Sequence, residues 1–203
     1  MGDHPLPGDE REIAAAVSAC ALMFDGSAYL SHRYGERGRQ FCRSGGGFLI
    51  VTCRHVHAGF LEQVRWLVGL RAARGMPGWL LERHLVILHG CLRREIPAAG
   101  TRYDGLLTAA TDLADRRRRH LAEDAFLAAA SRFSARAPDC HPTLPEAGTL
   151  LAAALCDEAA GNEGAVRSLL DWLADPRRFP PEWIGAVHAT AGELAAEISH
   201  ECP

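Results

Sequence analysis

The stretch Phe60–Ile96, FLEQVRWLVGLRAARGMPGWLLERHLVILHGCLRREI, decides the fold, because a degraded copy of it returns near the C-terminus. Val64-Arg65-Trp66-Leu67 aligns with Val166-Arg167-Ser168-Leu169. Pro77-Gly78-Trp79-Leu80 followed by His84 aligns with Pro181-Glu182-Trp183-Ile184 followed by His188. The pattern P-x-W-[LI]-x-x-x-H thus occurs twice, each time about one helix length after V-R-x-L. Upstream, Phe48-Leu49-Ile50-Val51-Thr52-Cys53 takes the place that Leu151-Ala152-Ala153-Ala154-Leu155-Cys156 takes in the second copy. Repeats at such a separation mark supersecondary units that stack on one another. The expected fold is therefore all-α, a helical bundle built from two related helical subdomains.

Composition sets the outer bounds. A chain of 203 residues that is 48% apolar can bury a core as one domain or two small fused ones. All 22 basic residues are arginine, and they nearly balance 25 acids to leave a net charge of -3. That balance offers no global attraction to nucleic acid or to an anionic membrane surface. The opening MGDHPLPGDEREI is polar and has no secretory pattern, and no apolar run reaches the length a membrane span needs. The seven cysteines form no C-x-x-C pair, which points to reduced thiols and a cytoplasmic setting.

Outward from the central stretch, the chain reads as helix after helix. Glu10–Phe24 carries Ile13, Ala16, Val17, Cys20 and Leu22 as an apolar stripe, with Asp9 as its cap. Ser27 starts a second piece through Tyr34, Gly35–Arg39 reads as a polar turn, and Ser44-Gly45-Gly46-Gly47 is either a loop or a helix under close packing. Gly75-Met76-Pro77 ends one helix and opens the next. That next helix has Leu80, His84, Ile87, Cys91 and Leu92 as its inner face. Tyr103–Arg136 is a long helix or a broken pair, and its Arg116–Arg119 run reads as a solvated face with intrahelical acid partners. The segment 137–145 has three prolines in nine residues and is the linker. The expected domains are 1–136, holding the first repeat at 43–97 and the connecting helix, and 146–203, holding the second. The last helix carries Ile184, His188, Ala191, Ala195 and Ile198 on one face.

The run Leu150–Leu155, Ala165–Leu170 and Phe179–Ile184 resembles the small helical cap that precedes cobalamin-binding domains in bacterial sensors and corrinoid proteins. The runs Arg33–Arg39, Gln63–Leu67 and Arg74–Pro77 are similar to the helical N-terminal part of actinobacterial regulatory proteins that carry such a cap. The resemblance implies a regulatory or sensory role and a cobalamin-like or other tetrapyrrole-like ligand. The chain departs from it in lacking the α/β cobalamin domain. Asp139-Cys140-His141 opens like the D-x-H-x-x-G motif of that domain, but Leu144 stands where glycine is required.

Few residues carry visible chemistry. The candidate ligand-binding set is Trp66, Trp79, His84, Trp183 and His188, since pockets between helices hold flat apolar ligands. The pairs His55 with His57 and His84 with His89 invite a metal reading, but no H-E-x-x-H is present, and Glu197–His200 is a single E-x-x-H. No G-x-S-x-G, phosphate-binding glycine loop or nucleophile with an assigned base is visible, so no catalytic residue is nominated. Cys53 and Cys156 read as core residues, with redox sensing as the alternative that exposure decides. The expectation is a non-catalytic cytoplasmic regulatory or sensory protein that binds a small apolar or tetrapyrrole-like ligand. Its first alternative is an interaction or accessory subunit whose partner is another protein or itself. A helical metal-dependent enzyme comes last. Neither nucleic acid nor membrane is an expected partner.

Overall fold

The computed structural model describes residues 7–55, 59–137 and 144–201. His57, His141, most of the 137–145 linker and the side chains of His55 and His200 lie outside the described residues. Among the described residues there are nine α-helices, one short 3-10 turn and no strand, so the chain is all-α. It divides into two compact units, one of Met1–Arg65 with Leu81–Asp112 and one of Trp66–Leu80 with Leu113–Pro203. The sequence reading had placed the division at 137–145.

The first unit begins with α1 (Glu10–Asp25) and α2 (Ala28–His55). Asp9 caps α1 by accepting from the Arg11 N–H at 2.9 Å, and Ser27 caps α2 by accepting from the Leu30 N–H at 3.2 Å. The polar turn expected at Gly35–Arg39 shrinks to a kink at Gly35, whose φ of 52° and ψ of -145° are accessible to glycine and strained for any side chain. Helix then resumes and runs through Gly45–Gly47. The reason is at Gly46, where a Cβ would sit 3.3 Å from the Ala16 Cβ, so the missing side chain lets α1 and α2 approach closely. The helical propensity lost at glycine, about 1 kcal/mol per residue, is offset by that packing.

The expected face of α1 is met in part: its Ala16 and Cys20 are buried, and its three large members are not. Ala15, Ala16, Ala19 and Cys20 are buried, whereas Ile13, Val17 and Leu22 are 46%, 44% and 49% exposed. Small residues turn inward where α2 approaches closely at Gly46, while nearer the C-terminal end of α1 Met23 and Phe24 are buried, Phe24 against Gly38 of α2. The unit also holds the Arg65 end of α3 (Phe60–Ala72), most of α4 (Gly78–Glu95) and the start of α5 (Gly105–Arg118). Arg65 Nε donates to Asp112 Oδ2 at 2.9 Å.

The second unit is built around α7 (Ala147–Ala159), in which every residue from Ala147 to Ala154 is buried. Gly148 makes this possible, since a Cβ there would meet the Ala129 carbonyl oxygen of α6 (Glu123–Arg136) at 2.0 Å. The end of α7 supplies two caps. Asp157 Oδ2 accepts from the Gly78 N–H at 2.7 Å at the start of α4, and Glu158 Oε2 accepts from the Val166 N–H at 2.8 Å near the start of α8 (Ala165–Leu173). Gly78 fits that role because a Cβ would lie 2.8 Å from Asp157 Oδ1.

The stretch expected as one long helix or a broken pair is the pair α5 and α6. Arg117 closes the corner, being only 7% exposed, donating to Glu123 Oε2 at 3.0 Å and lying 3.8 Å from the Phe126 ring centroid. Arg118 pairs with Asp115 at 3.1 Å and Glu123 at 2.9 Å, so the run is only in part the solvated intrahelical ladder expected. The last helix, α9 (Pro181–Glu201), buries Trp183, Ala186, Val187, Thr190, Leu194 and Ile198. The expected face through Ile184 and His188 is therefore rotated by about one residue, and His188 is exposed.

Candidate functional site

The first unit brings together two groups that sequence reading had not joined. Cys42 on α2 and His84 on α4 stand 42 positions apart in the chain, yet the Sγ lies 3.9 Å from the imidazole Nδ1. His84 is 2% exposed, while Cys42 is half-buried. Gly46, one turn along α2, lies beside the ring, a Cβ there falling 3.6 Å from His84 Nε2. The arrangement is a thiol beside an imidazole. No local pattern announces it, because a cysteine on one helix and a histidine two helices later meet only through packing.

A buried carboxylate lies on the same two-helix frame. Glu12 is fully buried on α1, and Arg54 Nη1 donates to its two carboxylate oxygens at 3.0 and 3.2 Å. The Tyr103 hydroxyl donates to Oε1 at 2.6 Å. Burial, and then the hydrogen bond to Glu12, push the Tyr103 phenol above its ordinary 10.0. The cluster ties α1 to the end of α2 and to the segment before α5, a structural use of charge. His89, which the sequence paired with His84, instead holds Asp104 Oδ1 with its Nε2 at 3.0 Å.

The five nominated ligand residues have different surroundings. Trp183 is 2% exposed, its Nε1 donates to the Leu173 carbonyl at 2.9 Å, and its ring stacks on Phe179 and meets Phe133 edge-on. Trp79 is half-buried against Phe126, with ring centroids 6.1 Å apart. Trp66 is 63% exposed and His188 is exposed, whereas His84 belongs to the first unit and packs at Cys42. The repeat-related histidines thus stand in opposite environments, one in a core and one in solvent. Glu197 of the lone E-x-x-H is engaged in an ion pair with Arg132. Among the described residues no group of three or more His, Cys, Asp or Glu is placed to hold a metal ion.

The cysteines nominated for the core are there. Cys53 and Cys156 are 1% and 3% exposed, and burial pushes the Cys53 thiol above its ordinary value. Exposure therefore favours the packing role for both, and Cys42, which sequence reading passed over, is the half-buried thiol among the described residues.

Comparison with known proteins adds no relative: no family model, curated protein or solved structure matches the chain.

Proposed function

We propose that this chain is a non-catalytic regulatory or accessory protein that works through a helix–helix contact made by α1, a second copy of the chain being the occupant. The observation that carries the reading is the outward turn of Ile13 and Val17, 46% and 44% exposed, one helical turn apart. Ala14 and Ala21 are exposed beside them. Large side chains next to small ones on one helix face form the ridges and hollows that a second helix fills, and such a face is self-complementary under a two-fold axis. Burying the exposed halves of four such side chains per dimer is worth about 4 kcal/mol before the cost of association, so this face alone makes at most a weak contact. That strength suits an association that other contacts or concentration switch on and off. The cytoplasmic setting belongs to the same proposal; among the described residues no helix is long and apolar enough to cross a membrane.

Sedimentation velocity over a concentration series tests it. The wild-type chain should gain mass as concentration rises toward the millimolar range, and Ile13→Asp with Val17→Asp should abolish the gain. A wild-type monomer unchanged across the series refutes the reading.

A second reading, the carrier of a flat apolar or tetrapyrrole-like ligand, keeps support from Trp66, whose indole is 63% exposed on the second unit. It draws none from Trp183, whose faces and N–H are occupied by protein. A colourless protein of unmodified mass, purified from its native host, would count against it.

A further inference from the structure

The Cys42–His84 pair belongs neither to the α1 face nor to the aromatic core, and it has the makings of a reactive thiol. We propose that Cys42 is a site of oxidative modification by small hydroperoxides, with His84 relaying its proton. Three observations support this. The Sγ and the imidazole Nδ1 are 3.9 Å apart, within reach of a weak sulfur hydrogen bond. Cys42 is a half-buried residue, while Cys20, Cys53, Cys91 and Cys156 are buried. The α1 residues seen against this part of α2 are Ala16 and Cys20, which carry no charge, and the one α1 carboxylate that reaches α2 nearby, Asp25, is 3.9 Å from the Arg39 guanidinium. An imidazole within reach of the thiol gives its proton somewhere to go as the sulfur reacts.

The burial of His84, at 2% exposure, explains why a relay is required rather than a standing ion pair. A buried imidazolium is costly, so the proton does not stay on the ring. With Nδ1 unprotonated, the imidazole takes the thiol proton as the sulfur attacks one oxygen of hydrogen peroxide. The new S–O bond forms as the O–O bond breaks. The leaving hydroxide then takes the proton from His84 and departs as water. The sulfur ends two electrons oxidised as a sulfenic acid, the peroxide is reduced, and His84 returns to its neutral form.

The experiment treats the full chain at neutral pH with hydrogen peroxide and dimedone and follows each cysteine by peptide mass spectrometry. Cys42 is expected to form the dimedone adduct about tenfold or more faster than free cysteine in the same buffer, the kind of gain a positioned general base gives. His84→Gln is expected to remove that gain, and Cys42→Ser to remove the adduct from its peptide. A wild-type Cys42 that reacts no faster than free cysteine overturns the proposal, and this comparison needs no variant to fold. Where His84→Gln leaves the four buried cysteines unlabelled and Cys42 as fast as in the wild type, the relay is refuted as well.

Discussion

Replacing Tyr103 by phenylalanine removes one hydroxyl from the centre of the first unit, and the structure fixes what should follow. That hydroxyl is the second donor to a carboxylate with no access to water, the first being Arg54 at 3.0 Å. A hydrogen bond to a charged acceptor is worth about 1.5–3 kcal/mol, and Arg54 remains to hold Glu12, so the loss should fall near the low end, about 1.5 kcal/mol. Glu12→Ala is a different perturbation. It leaves the Tyr103 hydroxyl, on a residue 1% exposed, without its acceptor, and takes this carboxylate from an Arg54 side chain that is 29% exposed to water. The cost is expected to be about 3 kcal/mol, at the lower edge of that for a broken buried pair. Because the two side chains share one hydrogen bond, the double variant should cost about 1 kcal/mol less than the sum. The distribution of chromophores makes the assay specific. All three tyrosines, Tyr29, Tyr34 and Tyr103, lie in the first unit, and all four tryptophans, Trp66, Trp79, Trp172 and Trp183, lie in the second. Urea unfolding followed by tyrosine second-derivative absorbance, with tryptophan fluorescence on the same samples, reads the units separately. The tyrosine-reported transition should shift. An unmoved midpoint in Tyr103→Phe, or strict additivity in the double variant, refutes the account of the cluster.

Other outcomes follow from the same physical reasoning. Burial, the leading cause in each case, holds the phenols of Tyr29, Tyr34 and Tyr103 above their ordinary 10.0. A phenolate forms more readily in the unfolded chain, so this stability is complete below about pH 10 and is lost as pH rises through the raised folded values. An alkaline absorbance titration should therefore show late, steep ionisation, and three ordinary midpoints near 10 would contradict it. Gly148→Ala drives a Cβ to within 2.0 Å of the Ala129 carbonyl oxygen and should destabilise the tryptophan-reported unit by about 3 kcal/mol or more. Gly90→Ala, on an exposed turn of α4 with nothing within 4 Å, should instead stabilise by about 0.5–1 kcal/mol, measurable as a raised midpoint. Arg117→Ala removes both the Glu123 bond and the cover over Phe126, and a loss of about 2 kcal/mol in tryptophan-monitored unfolding is the expected result.

Much of the secondary structure was legible because its signals are local. Asp9 and Ser27 cap the helices they were expected to cap, and Gly75 with Pro77 separates α3 from α4 as read. The repeated P-x-W pattern marks two helix starts, before Gly78 and at Pro181. The candidate site was not legible. Cys42 carries no motif, and its partner lies on another helix. The repeat singled out His84 and His188 as equivalents, but only His84 is enclosed, so the correspondence is one of sequence pattern and not of environment.

What the sequence determined by itself is the helical class and most helix ends, because caps, prolines and left-handed glycines act on the backbone within a few residues of themselves. What only the tertiary structure decided is which face of each helix turns inward. On α1, residue size favoured Ile13 and Val17 for the core, and the close approach of α2 at Gly46 selected Ala15, Ala16 and Ala19 instead. The pairing of Cys42 with His84 and the enclosure of Glu12 by Arg54 and Tyr103 were settled in the same way. Burial is a property of the neighbours a residue meets, and those neighbours are distant in the chain.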